Sequence, residues 1–111
     1  MENEEKIQIE VYSEHNRGVE LIAAERQRQI DKEGYTALHD DYWQDEELAM
    51  AAVFYAAPEK YGEMLAFWPW VDRYNKKRKH NRLRQLAIAG ALIAAEIDRL
   101  QRQTVTDEDQ I

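Results

Sequence analysis

A chain of 111 residues has the size of one domain or of one subunit of an assembly. Hydrophobic residues at 44%, charged residues at 33%, four glycines and two prolines fit a folded helical protein and exclude disorder. Twenty-two Asp and Glu against fifteen Lys and Arg leave a formal charge of −7, which disfavours duplex DNA or RNA as a partner, and the lack of cysteine excludes disulfides, thiol nucleophiles and thiolate metal sites.

The first residues, 1–16, read as an acidic arm. Ile7, Ile9 and Val11 alternate over too short a stretch to demand a strand. Met1 to Lys6 has neither the basic start nor the apolar centre of a signal peptide, and no apolar run reaches the roughly 18 residues of a membrane span. A cytoplasmic location away from membranes is therefore expected.

A helical domain is expected over 17–103. Val19, Ile22, Ala23, Arg26 and Ile30 recur at helical steps, and Gly34 is the usual residue for a left-handed stop, so a first helix is predicted over about 17–33. Arg26 falls within the apolar stripe, which predicts an ion pair with a buried acid such as Glu96. Glu25, Gln29 and Glu33 complete a polar group on the same helix, read as a structural ion-pair set, with a ligand clamp as the alternative. Tyr35 to Trp43 reads as a linker containing His39-Asp40-Asp41.

A second helix is predicted to start near Gln44 or Asp45, since Asp45, Glu46 and Glu47 suit the positive end of a helix. Leu48, Ala49, Ala51, Ala52, Val53, Ala56 and Ala57 would let another helix approach closely, until Pro58 ends the run.

Residues 59–80 form a long aromatic and basic connection, of a length more often functional than idle. Seven of the fifteen basic residues (Arg73, Lys76, Lys77, Arg78, Lys79, Arg82, Arg84) crowd into 73–84 and lead into the N-terminus of the last helix. Cations at that end oppose the helix dipole by about 0.3–1 kcal/mol each, so a compensating anion is expected. It can be the chain's own acids, or a phosphate held by Arg73, Lys77, Arg78, Arg82 and Arg84, with Trp68, Trp70 and Tyr74 stacking on a base. Trp68-Pro69-Trp70 can equally seal the end of the helical core.

In the last helix, Leu83, Leu86, Gly90, Ile93, Ile97 and Leu100 follow a heptad seam, while Ile88, Ala91, Leu92 and Ala95 widen the apolar surface. One small subunit can hardly cover both faces, so a homo-oligomer is expected. Residues 104–111 read as an acidic tail.

A divalent metal site would draw on Asp41, Asp45, Glu46, Glu47 and Glu96, holding Mg²⁺ for phosphate hydrolysis. His39-Asp40 is similar to the central pair of HD-type phosphohydrolases. The helical architecture is similar to that of MazG-type pyrophosphohydrolases, although Glu96 is followed three residues on by Arg99 and Glu47 by Met50, where those enzymes carry acids.

Ala24-Glu25-Arg26-Gln27-Arg28-Gln29, Glu33-Gly34-Tyr35, His39-Asp40-Asp41, Glu47-Leu48-Ala49-Met50-Ala51-Ala52, Trp68-Pro69-Trp70 and Ala89 to Leu100 together resemble a family of small helical phage and prophage proteins. The resemblance covers about residues 20–100. It implies a place in an infected bacterial host, among short oligomeric proteins that sequester cyclic or ADP-ribose-type immune nucleotides.

The expectation is thus an all-α bundle of three main helices with a long aromatic and basic loop, which binds a small nucleotide without catalysis, needs no cofactor and counteracts host defence. A MazG-like, Mg²⁺-dependent nucleotide hydrolase is the alternative. An acidic inhibitor that binds a host protein is a third, suggested by the charge of −14 outside the basic segment.

Overall fold

The structure, a computed structural model, describes the backbone of residues 2–61, 68–71 and 75–109, and side chains within 17–61, 68–71 and 75–104. The fold is all-α: α1 (Glu2–Glu33), a short α2 (Ala37–Asp41), α3 (Glu47–Ala56) and α4 (Arg82–Asp109), with 3₁₀ turns at Glu59–Tyr61 and Lys77–Lys79. There is no strand among the described residues. None of their helices is long and apolar enough to cross a membrane.

Both long helices outrun their expected limits. α1 begins at Glu2, taking in the stretch read as an arm, and α4 continues to Asp109 through most of the expected tail. The expected linker contains α2, whose N-terminus is capped by Thr36 through a bond from the His39 N–H at 3.4 Å. α3 starts two residues late because Glu46 adopts a left-handed conformation, φ 62°, just before it.

α3 and α4 form the core. Leu48, Ala51, Ala52 and Tyr55 pack on Ile88, Ala89, Leu92 and Ala95, and the alanines allow the two backbones to lie close. α3 ends where Ala57 turns extended ahead of Pro58, which disfavours the helical conformation in the residue before it. α1 meets α4 at Gly90: a Cβ there would lie 2.5 Å from Ile22 Cδ1 and 2.6 Å from its Cγ1, so any larger residue would force Ile22 to shift.

The two apolar sets on α4 have separate fates. Ile88, Ala91, Leu92 and Ala95 are buried, whereas the seam residues Leu83, Leu86, Ile93, Ile97 and Leu100 are all exposed, from 44% at Leu100 to 61% at Leu83. Gly90 alone of the seam is covered, by Ile22. A ten-residue α3 cannot wrap a helix of 28 residues.

Buried charges tie the helices together. Arg26 pairs with the fully buried Asp40 at 2.9 Å, and also donates to the Tyr35 carbonyl at 3.2 Å. The expected Arg26–Glu96 pair does not form, because Glu96 is held in a bidentate pair by Arg99, one turn along its own helix. Asp41 receives Arg102 of α4 at 2.7 Å.

Candidate functional site

The sequence pattern converges on a cleft between α1, α4 and the aromatic loop. On α1, Glu25, Arg28 and Gln29 lie three and four residues apart and therefore share a face. At the end of the helix, Gly34 at φ 76° lets the Tyr35 N–H reach back to the Gln29 carbonyl at 2.9 Å, which closes the helix end and brings Tyr35 to the same cleft. On α4, Arg84, Ile88 and Leu92 repeat at four-residue steps and form the opposite side. Tyr55 of α3, Trp68 and Trp70 of the loop, and Lys76 and His80 of the basic segment complete a partly open cleft of about 190 Å³.

Trp68 and Trp70 are both plug and wall. They meet edge to face with centroids 5.2 Å apart, Trp68 packs on Phe54 and Tyr55, Trp70 packs on Trp43, and both rest on the helical core. The Trp68 indole N–H donates to the Val71 carbonyl at 3.1 Å. The Trp70 indole N–H and the Gln29 side-chain oxygen are buried and have no hydrogen-bond partner among the described residues. A buried polar atom without a partner costs about 1–3 kcal/mol, and the two residues that carry these atoms both line the cleft.

Glu25 organises the charge. Its side chain is 1% exposed; Arg28 donates to both carboxylate oxygens, through Nη2 at 2.9 Å and Nε at 3.0 Å, and Arg84 Nη2 lies 2.7 Å from Oε2. Arg28 Nη1 donates to Glu33 at 3.0 Å. The bonds to Glu25 hold the Arg28 guanidinium protonated beyond its ordinary range. Arg28 is thereby committed on all three nitrogens, while Arg84, with one close contact to Glu25, keeps donors for a ligand. Burial, reinforced by the Arg84 charge, pushes the His80 pKa below its ordinary value. Burial also pushes Tyr35 and Tyr55 upward, so both present neutral hydroxyls.

Of the residues expected to bind a ligand, Trp68, Trp70 and Arg84 line the cleft. Lys77 and Arg82 do not. Lys77 donates to the Ala57 carbonyl at 2.8 Å, and Arg82 donates to the carbonyls of Tyr55, Ala56 and Ala57. The compensating negative end is therefore the C-terminus of α3, whose last carbonyls carry the negative pole of that helix. The α4 N-terminus is itself capped by Asn81, which accepts from the Arg84 N–H at 2.9 Å. Arg78 is exposed and lines no part of the cleft. Arg73 and Tyr74 lie outside the described residues.

Sequence reasoning assigns no ligand-binding role to Arg28, Tyr35, Tyr55, His80 or, within the basic run, Lys76. The group of Glu25, Gln29 and Glu33 is read there first as a structural ion-pair set, and the structure brings all three to the cleft, as the ligand-clamp alternative requires. The signal available was its four-residue spacing beside a glycine stop.

The acids considered for Mg²⁺ do not assemble. Asp41 is engaged by Arg102, Glu96 by Arg99, and Glu47 accepts from the Asp45 N–H at 2.6 Å. No cluster of three His, Asp or Glu able to hold a metal occurs among the described residues. In the His39-Asp40 pair, Nδ1 lies 2.9 Å from Asp40, whose other oxygen meets Arg26; this arrangement fixes α2 against α1.

No family model, curated protein or solved structure matches the chain.

Proposed function

We propose that this protein binds a small nucleotide-type ligand in the cleft and holds it unchanged. One observation carries the reading: the cleft walled by aromatic rings and Arg84 also takes in Gln29 and Trp70, whose side chains hold a buried acceptor and a buried donor without a partner among the described residues. The edge of a nucleobase offers a neighbouring donor and acceptor, its faces suit aromatic walls, and a phosphate suits Arg84. Sequestration of an immune nucleotide in an infected bacterium, counteracting host defence, is the role that the likeness to phage proteins adds. The test is native mass spectrometry of the protein with cyclic mononucleotides, cyclic dinucleotides, ADP-ribose and nucleoside triphosphates, followed by release on heating. Recovery of one bound class with its mass intact supports the reading. A cleaved product in the presence of Mg²⁺ favours the MazG-like hydrolase, and no nucleotide bound alongside a retained host protein favours the acidic inhibitor.

We also propose that the chain self-associates. The seam of α4 keeps the 3-4 spacing of a coiled-coil ridge, and its large side chains are left outside the core of the single chain. The same spectra report subunit number, and a monomer at every concentration would remove this part of the proposal.

A further inference from the structure

Resting on the nucleotide reading, we infer that the ligand is a singly charged phosphodiester rather than a phosphomonoester or polyphosphate. The described cleft sets Arg28, Arg84 and Lys76 against Glu25 and Glu33, three cations to two carboxylates, which leaves one positive charge. The distribution of that charge is more restrictive than the total. Arg28 is spent on Glu25 and Glu33, and Glu25 is shared between Arg28 and Arg84. What faces a guest is the remaining donor capacity of Arg84 together with the exposed Lys76. His80 adds little at neutral pH, because burial and Arg84 favour its neutral form.

A phosphodiester brings one charge and matches this surplus. A phosphomonoester carries about −1.5 to −2 at neutral pH, so its second charge would face the buried Glu25 or the nearby Glu33 without a cation of its own among the described residues. Size points the same way. A cleft of about 190 Å³ falls below the roughly 300–1,000 Å³ of drug-sized sites. That volume is nearer to a ring with one compact phosphate group than to a nucleoside triphosphate.

The experiment is calorimetric titration of the full chain with 3′,5′-cyclic AMP, AMP and ATP, repeated with the guanine series. The cyclic diester of the preferred base should bind at least about tenfold more tightly than its monoester, and the triphosphate more weakly still. Glu33→Gln raises the cleft by one positive charge at a partly exposed position, and should narrow the gap between diester and monoester. Affinity that is flat or climbs with phosphate charge in the unaltered protein overturns this inference while leaving the nucleotide reading intact. Failure of every nucleotide in both series to bind overturns the two together.

Discussion

Arg84 of α4 lies 2.7 Å from the Glu25 carboxylate of α1, and Arg28 holds both oxygens of the same group. One buried acid thus orients two guanidiniums across the helix pair. Replacing Glu25 with Gln should lower stability by about 2 kcal/mol, less than for a fully enclosed pair because both guanidiniums are partly exposed. Urea midpoints measure this. Arg84→Gln leaves Glu25 with Arg28, so it should cost only about 1 kcal/mol of stability but about tenfold or more in ligand affinity.

Arg82 and Lys77 serve α3 rather than a ligand. Arg82→Ala exposes the last carbonyls of α3 and should destabilise the fold by about 1–2 kcal/mol. Nucleotide affinity should stay within about twofold when assayed well below the unfolding temperature, and Arg78→Ala should alter neither quantity. A large loss of affinity in either variant, with stability intact, would return the phosphate site to the basic segment.

The contact between Gly90 and Ile22 makes a prediction of sign. Alanine is favoured over glycine in a helix by about 1 kcal/mol, but the added methyl at Gly90 must displace Ile22, at a cost of about 1–3 kcal/mol. Gly90→Ala should therefore destabilise the native chain, and stabilise a chain that already carries Ile22→Ala. Thermal unfolding of the four proteins of this cycle decides it: equal effects in both backgrounds would mean that α1 and α4 do not touch here.

His80 links stability and binding to pH in opposite directions. Its folded pKa is lowered by burial and by Arg84, so the unfolded chain takes up a proton first as pH falls below about 6.5. Stability contributed by neutral His80 is present above that value and is lost toward the depressed folded pKa. A bound phosphate favours the protonated ring, so affinity should rise over the same interval. His80→Gln should flatten both profiles, which fluorescence-monitored unfolding and titration at a series of pH values can record.

Much of the architecture is legible in residue order. The Gly34 stop, the alanine-rich α3 with Pro58 after it, and the helical period of α4 all depend on local rules and appear as expected. What could not be read was which of two apolar stripes on α4 would be buried, since that depends on the reach of α3. The basic segment misled for a related reason. Its charges demanded a negative partner, and the C-terminus of α3 supplies one without contributing a charged residue. The cleft draws on five separate stretches, and only their assembly shows that Gln29 and Trp70, which line it with Arg84, carry unpartnered polar atoms.

The central claim is tested most directly at the indole of Trp70. The protein has three tryptophans, so a ¹⁵N–¹H correlation spectrum shows three indole peaks that Trp→Phe substitutions can assign. Titration with the nucleotide identified by mass spectrometry should move the Trp70 Nε1–H peak downfield as it gains an acceptor, while the Trp68 peak, already bonded to the Val71 carbonyl, keeps that bond. A ligand that saturates the protein and leaves the Trp70 peak where it was would place the binding site elsewhere and contradict the account.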